Sequence, residues 1–138
     1  MDYVGLEMSA ASTPPMPDLA AYERSARLPL PEVVQQLTEL LGQKLVAYLA
    51  GVRETRAVRE WASGKREPRD PIPQRLRVAL QIAMLIAQRE SPSVVQAWFQ
   101  GLNPQLDDRS PARLLREGDL DAVGPEVLSA ARAFTTGG

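Results

Sequence analysis

Residues 43–64, QKLVAYLAGVRETRAVREWASG, decide how the rest of the chain is read. They form two short helical patterns separated by a single glycine. Ala47 stands four residues ahead of Gly51, and Val52, Val58 and Trp61 follow at spacings that bury one side of a second helix beginning near Glu54. A small residue at Ala47 allows close approach of the two helices, and Gly51 can take the positive φ of a tight turn. The pattern is that of a helix-turn-helix. Its second helix then shows Arg53, Arg56 and Arg59 on the outer side, where a guanidinium can meet a phosphate or a guanine edge with two parallel hydrogen bonds. Lys65 and Arg66 extend this basic run into KREPRDPIP, residues 65–73, whose three prolines break the helix and leave a basic linker.

Charge supports a nucleic-acid footprint only locally. The formal net charge of 138 residues is -1. Between Gln43 and Arg69, however, seven basic residues meet three acids, a balance of +4, whereas residues 1–32 hold five acids and two arginines, a balance of -3. The local sign is what a polyanion meets.

Working outward, residues 1–29 are rich in Ser, Thr, Pro and Ala and hold few clustered large apolar side chains, so they read as a flexible arm with room for a brief helix over residues 20–28. Pro31 suits a helical first turn, and Val33, Val34, Leu37, Leu40 and Leu41 give that helix one apolar stripe ending at Gly42. Gln35, Gln36 and Glu39 read as its solvated face. Residues 30–73 thus make a helix-turn-helix region with its linker. Residues 74–90 are apolar almost all round, and a helix of that kind must be enclosed at the centre of a bundle or across a dimer interface. Ser91-Pro92 starts a further helix, with Val94, Val95, Trp98 and Phe99 on its apolar side and Gly101 at its end. The fold class expected is all-α, a helix-turn-helix half joined through the long apolar helix to a small helical domain over residues 91–138.

Composition excludes much chemistry. Without cysteine or histidine there is no disulfide, thiol nucleophile, imidazole base or ordinary zinc set. Asp107, Asp108, Asp119 and Asp121 lie in a turn-rich stretch where capping or solvation is the simpler reading, and no phosphate-binding glycine loop is present. The expectation is a protein that is not an enzyme and needs no metal or cofactor. No apolar run approaches the ~18 residues of a membrane span. No secretory signal is visible either, and the absence of cysteine suits a reducing cytoplasm, the location expected.

The carboxy-terminal stretch WFQGLNPQLDDRSPARLLREGDLDAVGPEVLSAARAF, residues 98–134, is the most specific. Asn103-Pro104 starts a turn, Leu106 drops inward, Ser110-Pro111 repeats the cap-plus-proline device, and Leu114, Leu115, Gly118 and Val123 follow in order. Val127, Leu128, Ala131 and Phe134 line one side of a last helix. Together with the upstream elements, this series resembles the toxin-binding domain of the Xre/MbcA/ParS antitoxin family, over approximately residues 33–134. The helix-turn-helix itself resembles that of Xre-type regulators, except that five residues separate Val52 from Val58, one more than is usual there. Asp107-Asp108 stands where relatives often have a glycine.

The resemblance implies an antitoxin whose partners are a RES-domain toxin that consumes NAD, its own operator DNA, and a second copy of itself in a homodimer or higher oligomer. It implies toxin contacts at Trp98, Asn103, Ser110, Leu114, Leu115, Arg132 and Phe134, with the last helix and residues 135–138 approaching the toxin's active site. It implies DNA contacts at Arg53, Arg56, Arg59, Lys65 and Arg66. Two other readings of the same residues stand beside it: a protein-interaction adaptor that keeps the helix-turn-helix for packing, and a DNA-binding regulator with no toxin partner.

Overall fold

The central element is the helix of residues 72–87, and the other helices are arranged around it. The computed structural model describes residues 17–137, and among them it contains α helices, one 3-10 turn and no strand. In chain order these are α1 (Pro17–Arg27), α2 (Leu30–Leu41), α3 (Gln43–Ala50), α4 (Thr55–Ala62), α5 (Ile72–Ala87), α6 (Pro92–Gln100), the 3-10 turn Pro104–Leu106, α7 (Pro111–Glu117) and α8 (Leu120–Gly137). The all-α fold expected from the sequence is the one observed.

The long apolar helix α5 is central because its sides are covered by α1, α2, α3 and α8 of the same chain. Leu76, Leu80, Ile82 and Ile86 are wholly buried along it. Packing of this helix therefore requires no second copy. It begins at Ile72, two residues ahead of the expected start, since prolines in a first turn give up only N–H groups that have no helical partner.

The amino-terminal arm is the main difference. From Pro17 onward it is a helix laid on α5, not a flexible segment; residues 1–16 lie outside the described residues. Its buried contacts are the small side chains of Ala21 and Ser25, one turn apart, and the Ser25 hydroxyl is satisfied by donating to the Tyr22 carbonyl at 2.9 Å. Small residues hold this helix through close approach, which leaves no stripe of large apolar residues to read.

Helix ends account for most of the long-range polar contacts. The last carbonyls of a helix lack intrahelical donors and carry the negative end of its dipole. Here side chains from neighbouring helices supply the donors. Arg77 Nη1 on α5 donates to the carbonyls of Ser25 and Leu28 at 2.8 and 2.7 Å, fixing the end of α1. Gln96 Nε2 donates to Leu40 O at 3.1 Å at the end of α2. Gln35 Nε2 donates to Ala62 O at 2.6 Å at the end of α4, so Gln35 bridges helices and is not simply solvated. At the end of α3, Arg75 Nη1 donates to Leu49 O and Ala50 O at 3.2 and 3.1 Å, and Arg116 Nη1 donates to Tyr48 O at 3.0 Å. The last of these joins the carboxy-terminal half to the helix-turn-helix.

Candidate functional site

Two surfaces collect the residues singled out in the sequence. The first is the helix-turn-helix. Gly51 closes α3 in the left-handed region at φ 84° and its N–H bonds back to the carbonyls of Ala47 and Tyr48. The extra residue between Val52 and Val58 is absorbed by the turn: Glu54 is the extended N-cap and α4 starts at Thr55. Val58 and Trp61 are then buried, and the arginines face outward.

Between α3, the turn and the start of α4 runs an open groove of about 690 Å³. It is lined by Lys44, Arg53, Arg56, Arg59 and Arg116, with Glu54 as its one acid. Lys65 and Arg66 are exposed on the turn after α4, outside the groove. The cations are not equivalent. Glu60, whose side chain is only 14% exposed, sits 3.2 Å from Arg56 Nε and 3.0 Å from Arg66 Nη1. The Arg66 contact is off the hydrogen-bond axis, so Glu60 Oε1 keeps a buried lone pair without a hydrogen-bond donor. Both guanidiniums are mostly exposed but the carboxylate is not, so one arginine can turn to another anion only while the other stays on Glu60. Arg59 is oriented by Gln43 Oε1 at 3.3 Å and Thr55 Oγ1 at 3.0 Å. Behind the groove, Arg75 is held below the usual arginine range, first by burial and then by the charge of Arg116, yet a guanidinium remains protonated at any working pH.

The second surface lies where α6 ends against α8. Trp98 is half-buried and Phe134 is 38% exposed, with ring centroids 6.3 Å apart; Trp98 also meets the buried Phe99 edge-on at 5.3 Å. A groove of about 340 Å³ runs between these helices and the loop that follows α6. Leu102 stands on its rim at 75% exposure. An aliphatic and two aromatic side chains so placed offer the apolar anchor that protein interfaces use.

The seven residues expected at a toxin contact separate on burial. Trp98 and Phe134 line the groove, and Asn103 borders it while its Oδ1 accepts from Gln105 N at 2.9 Å. Arg132 is exposed on α8. Ser110 is the N-cap of α7, its hydroxyl accepting from Arg113 N at 3.2 Å. Leu114 and Leu115 belong to the core, at 6% and 0% exposure, and give a partner no side-chain surface. Their place in the LL pair is explained by packing between α3, α6 and α8. Sequence reasoning missed Leu102, Arg116 and Tyr48. Leu102 directly follows the glycine that ends α6, and that position was a signal for exposure.

Among the described residues no group of three or more Asp and Glu is placed to hold a metal ion, and no helix is long and apolar enough to cross a membrane. No family model and no curated relative matches the chain. Among solved structures it is similar to the crystal structure of the M. tuberculosis MbcT-MbcA toxin-antitoxin complex, at 26% identity and a TM-score of 0.64, over 78% of this chain and 95% of that one. The fold is of the MbcA antitoxin type.

Proposed function

We propose that the chain is the antitoxin of a type II toxin-antitoxin pair, which binds a RES-domain NAD-consuming toxin and blocks its active site. The observation that carries this reading is the exposed apolar surface of Leu102, Trp98 and Phe134, which lies on the fold of an antitoxin and beside the last turns of α8. Inhibition by occupancy needs no chemistry from the inhibitor. It needs an apolar anchor to hold the partner and a neighbouring segment that enters a cleft and excludes substrate. Here Phe134, one of the three anchor residues, is on α8 together with residues 132–137, so seating the anchor brings the last turn of that helix to the partner.

The basic groove supports a second activity of the same molecule, repression of its own operon. Arg53, Arg56 and Arg59 line a concave surface beside a Gly turn, and Lys65 and Arg66 extend the positive charge past α4. Such cations meet phosphates first and base edges second, and a two-fold operator would be met by two copies of the chain.

The test is co-expression with a RES-domain reading frame encoded next to this chain, followed by co-purification and an NAD-consumption assay. The full-length chain is expected to co-purify and suppress NAD loss, whereas a chain ending at Ala131, which lacks Phe134, suppresses it less. If neither chain co-purifies or changes NAD loss, the toxin partner is wrong. DNA binding is tested separately by gel shift with duplex from upstream of the operon, where loss of the shift at high salt is expected.

A further inference from the structure

Arg116 has no counterpart in the sequence reading of the basic groove, because it lies on α7 in the carboxy-terminal half, 57 positions beyond Arg59. The fold nevertheless brings it to the groove wall beside Lys44 and Arg53. Its guanidinium carbon sits 4.5 Å from the centroid of the Tyr48 ring, and its Nη1 donates to the Tyr48 carbonyl at 3.0 Å. The ring fixes the plane of the guanidinium and the carbonyl fixes its rotation. A guanidinium has five N–H donors, and the carbonyl takes one.

We propose that Arg116 is a phosphate-binding residue of the helix-turn-helix groove, contributed by the carboxy-terminal half and positioned by Tyr48, and that its ligand is the backbone of duplex DNA. The inference rests on the reading that the helix-turn-helix binds DNA, and it extends that surface to a different part of the chain. Three observations favour it. Arg116 adds a fifth cation to a concave surface whose one acid is Glu54, an arrangement that repels itself until a polyanion arrives. Its charge also acts on the partly buried Arg75 behind the groove, whose guanidinium holds the end of α3, and a bound phosphate would offset that repulsion. Finally, Arg116 is already held by a stacked ring, so little side-chain freedom is lost when it takes a phosphate.

The experiment is a salt titration of duplex binding by the full-length chain, with wild type, Arg116→Gln, Arg53→Gln and Arg113→Gln. Arg113 is the control: it is on the same helix, is exposed, and pairs with Glu117 at 3.1 Å away from the groove. Each phosphate contact contributes about 0.9 to the slope of log K against log salt. Arg116→Gln and Arg53→Gln are each expected to flatten the slope by roughly that amount, with Arg113→Gln unchanged. Since Arg116 also holds the end of α3, wild-type protein provides an arm that does not depend on the variant's folding. Phenylglyoxal labelling, read by peptide mass spectrometry, should show Arg116 protected by duplex while Arg113 stays labelled. If wild type binds no duplex even at low salt, the DNA reading itself fails and takes the proposal with it. If wild type binds and Arg53→Gln flattens the slope, but Arg116 keeps its labelling and Arg116→Gln keeps the wild-type slope, the proposal is overturned and the DNA reading stands.

Discussion

Leu115→Ala separates packing from partner contact on α7. Leu115 is fully buried where α7 meets α3, α6 and α8, and its neighbour Leu114 is 6% exposed. Removing three carbons forfeits about 0.8 kcal/mol of burial for each, roughly 2.4 kcal/mol, and the cavity left in a site walled by several helices adds to that. A loss of about 3 kcal/mol is expected. For a domain of this size each kcal/mol lowers the melting temperature by about 3–5 °C, so the variant should melt on the order of 10 °C below wild type. Leu102→Ala is the matched control, since at 75% exposure it should change stability by less than about 0.5 kcal/mol. Differential scanning calorimetry on the isolated chain reads both. If Leu115→Ala melts within about 2 °C of wild type, Leu115 is not the core residue described and its availability to a partner must be reconsidered.

Three further substitutions test particular features of the fold. Gly118→Ala would set a Cβ 2.9 Å from the Leu114 carbonyl oxygen and 2.6 Å from Val123 Cγ1, and because one obstacle is backbone the chain must shift; a loss of about 1–3 kcal/mol in urea unfolding is expected, and no loss would show that the α7–α8 corner is slack. Gly51→Ala meets ordinary space, its nearest neighbour being Arg75 Nη1 at 3.6 Å, so only the left-handed backbone opposes it and the loss should be about 1–2 kcal/mol; an unchanged melting temperature would refute the φ of 84°. Arg77→Met keeps the stem and removes the donors to Ser25 and Leu28, and should cost about 1.5–3 kcal/mol, with hydrogen exchange rising first in α1; uniform exchange across α1 and α5 would contradict this local role.

Much of the architecture was legible because its signals are local. Gly42, Gly51 and Gly101 end the helices they follow, and prolines at 92 and 111 start helices, each acting through its own backbone restrictions. The helix-turn-helix was readable for the same reason, and its extra residue simply moves the start of α4 to Thr55. What was not legible depends on which elements meet. α1 docks through Ala21 and Ser25, whose small size gives no apolar stripe. Nothing local to Arg75, Arg77 and Arg116 announces a partner, yet each reaches carbonyls more than twenty residues away. Leu114 and Leu115 fit a core helix and a contact helix equally well until α3, α6 and α8 are known to cover them. Periodicity gives the face of a helix but not what covers it.

The central claim is that the apolar surface of Leu102, Trp98 and Phe134 seats a toxin whose active site is then closed. It is tested most directly by titrating a RES-domain toxin encoded beside this chain with wild-type protein and with Leu102→Asp, following NAD consumption. Leu102→Asp places a charge at the rim while leaving the fold intact, as circular dichroism should verify. Wild type is expected to suppress NAD loss at about one chain per toxin active site, and Leu102→Asp to require at least roughly tenfold more protein, the effect of losing about 1.4 kcal/mol of binding. Equal inhibition by the two would place the toxin elsewhere on the molecule, and no inhibition by either would contradict the antitoxin reading.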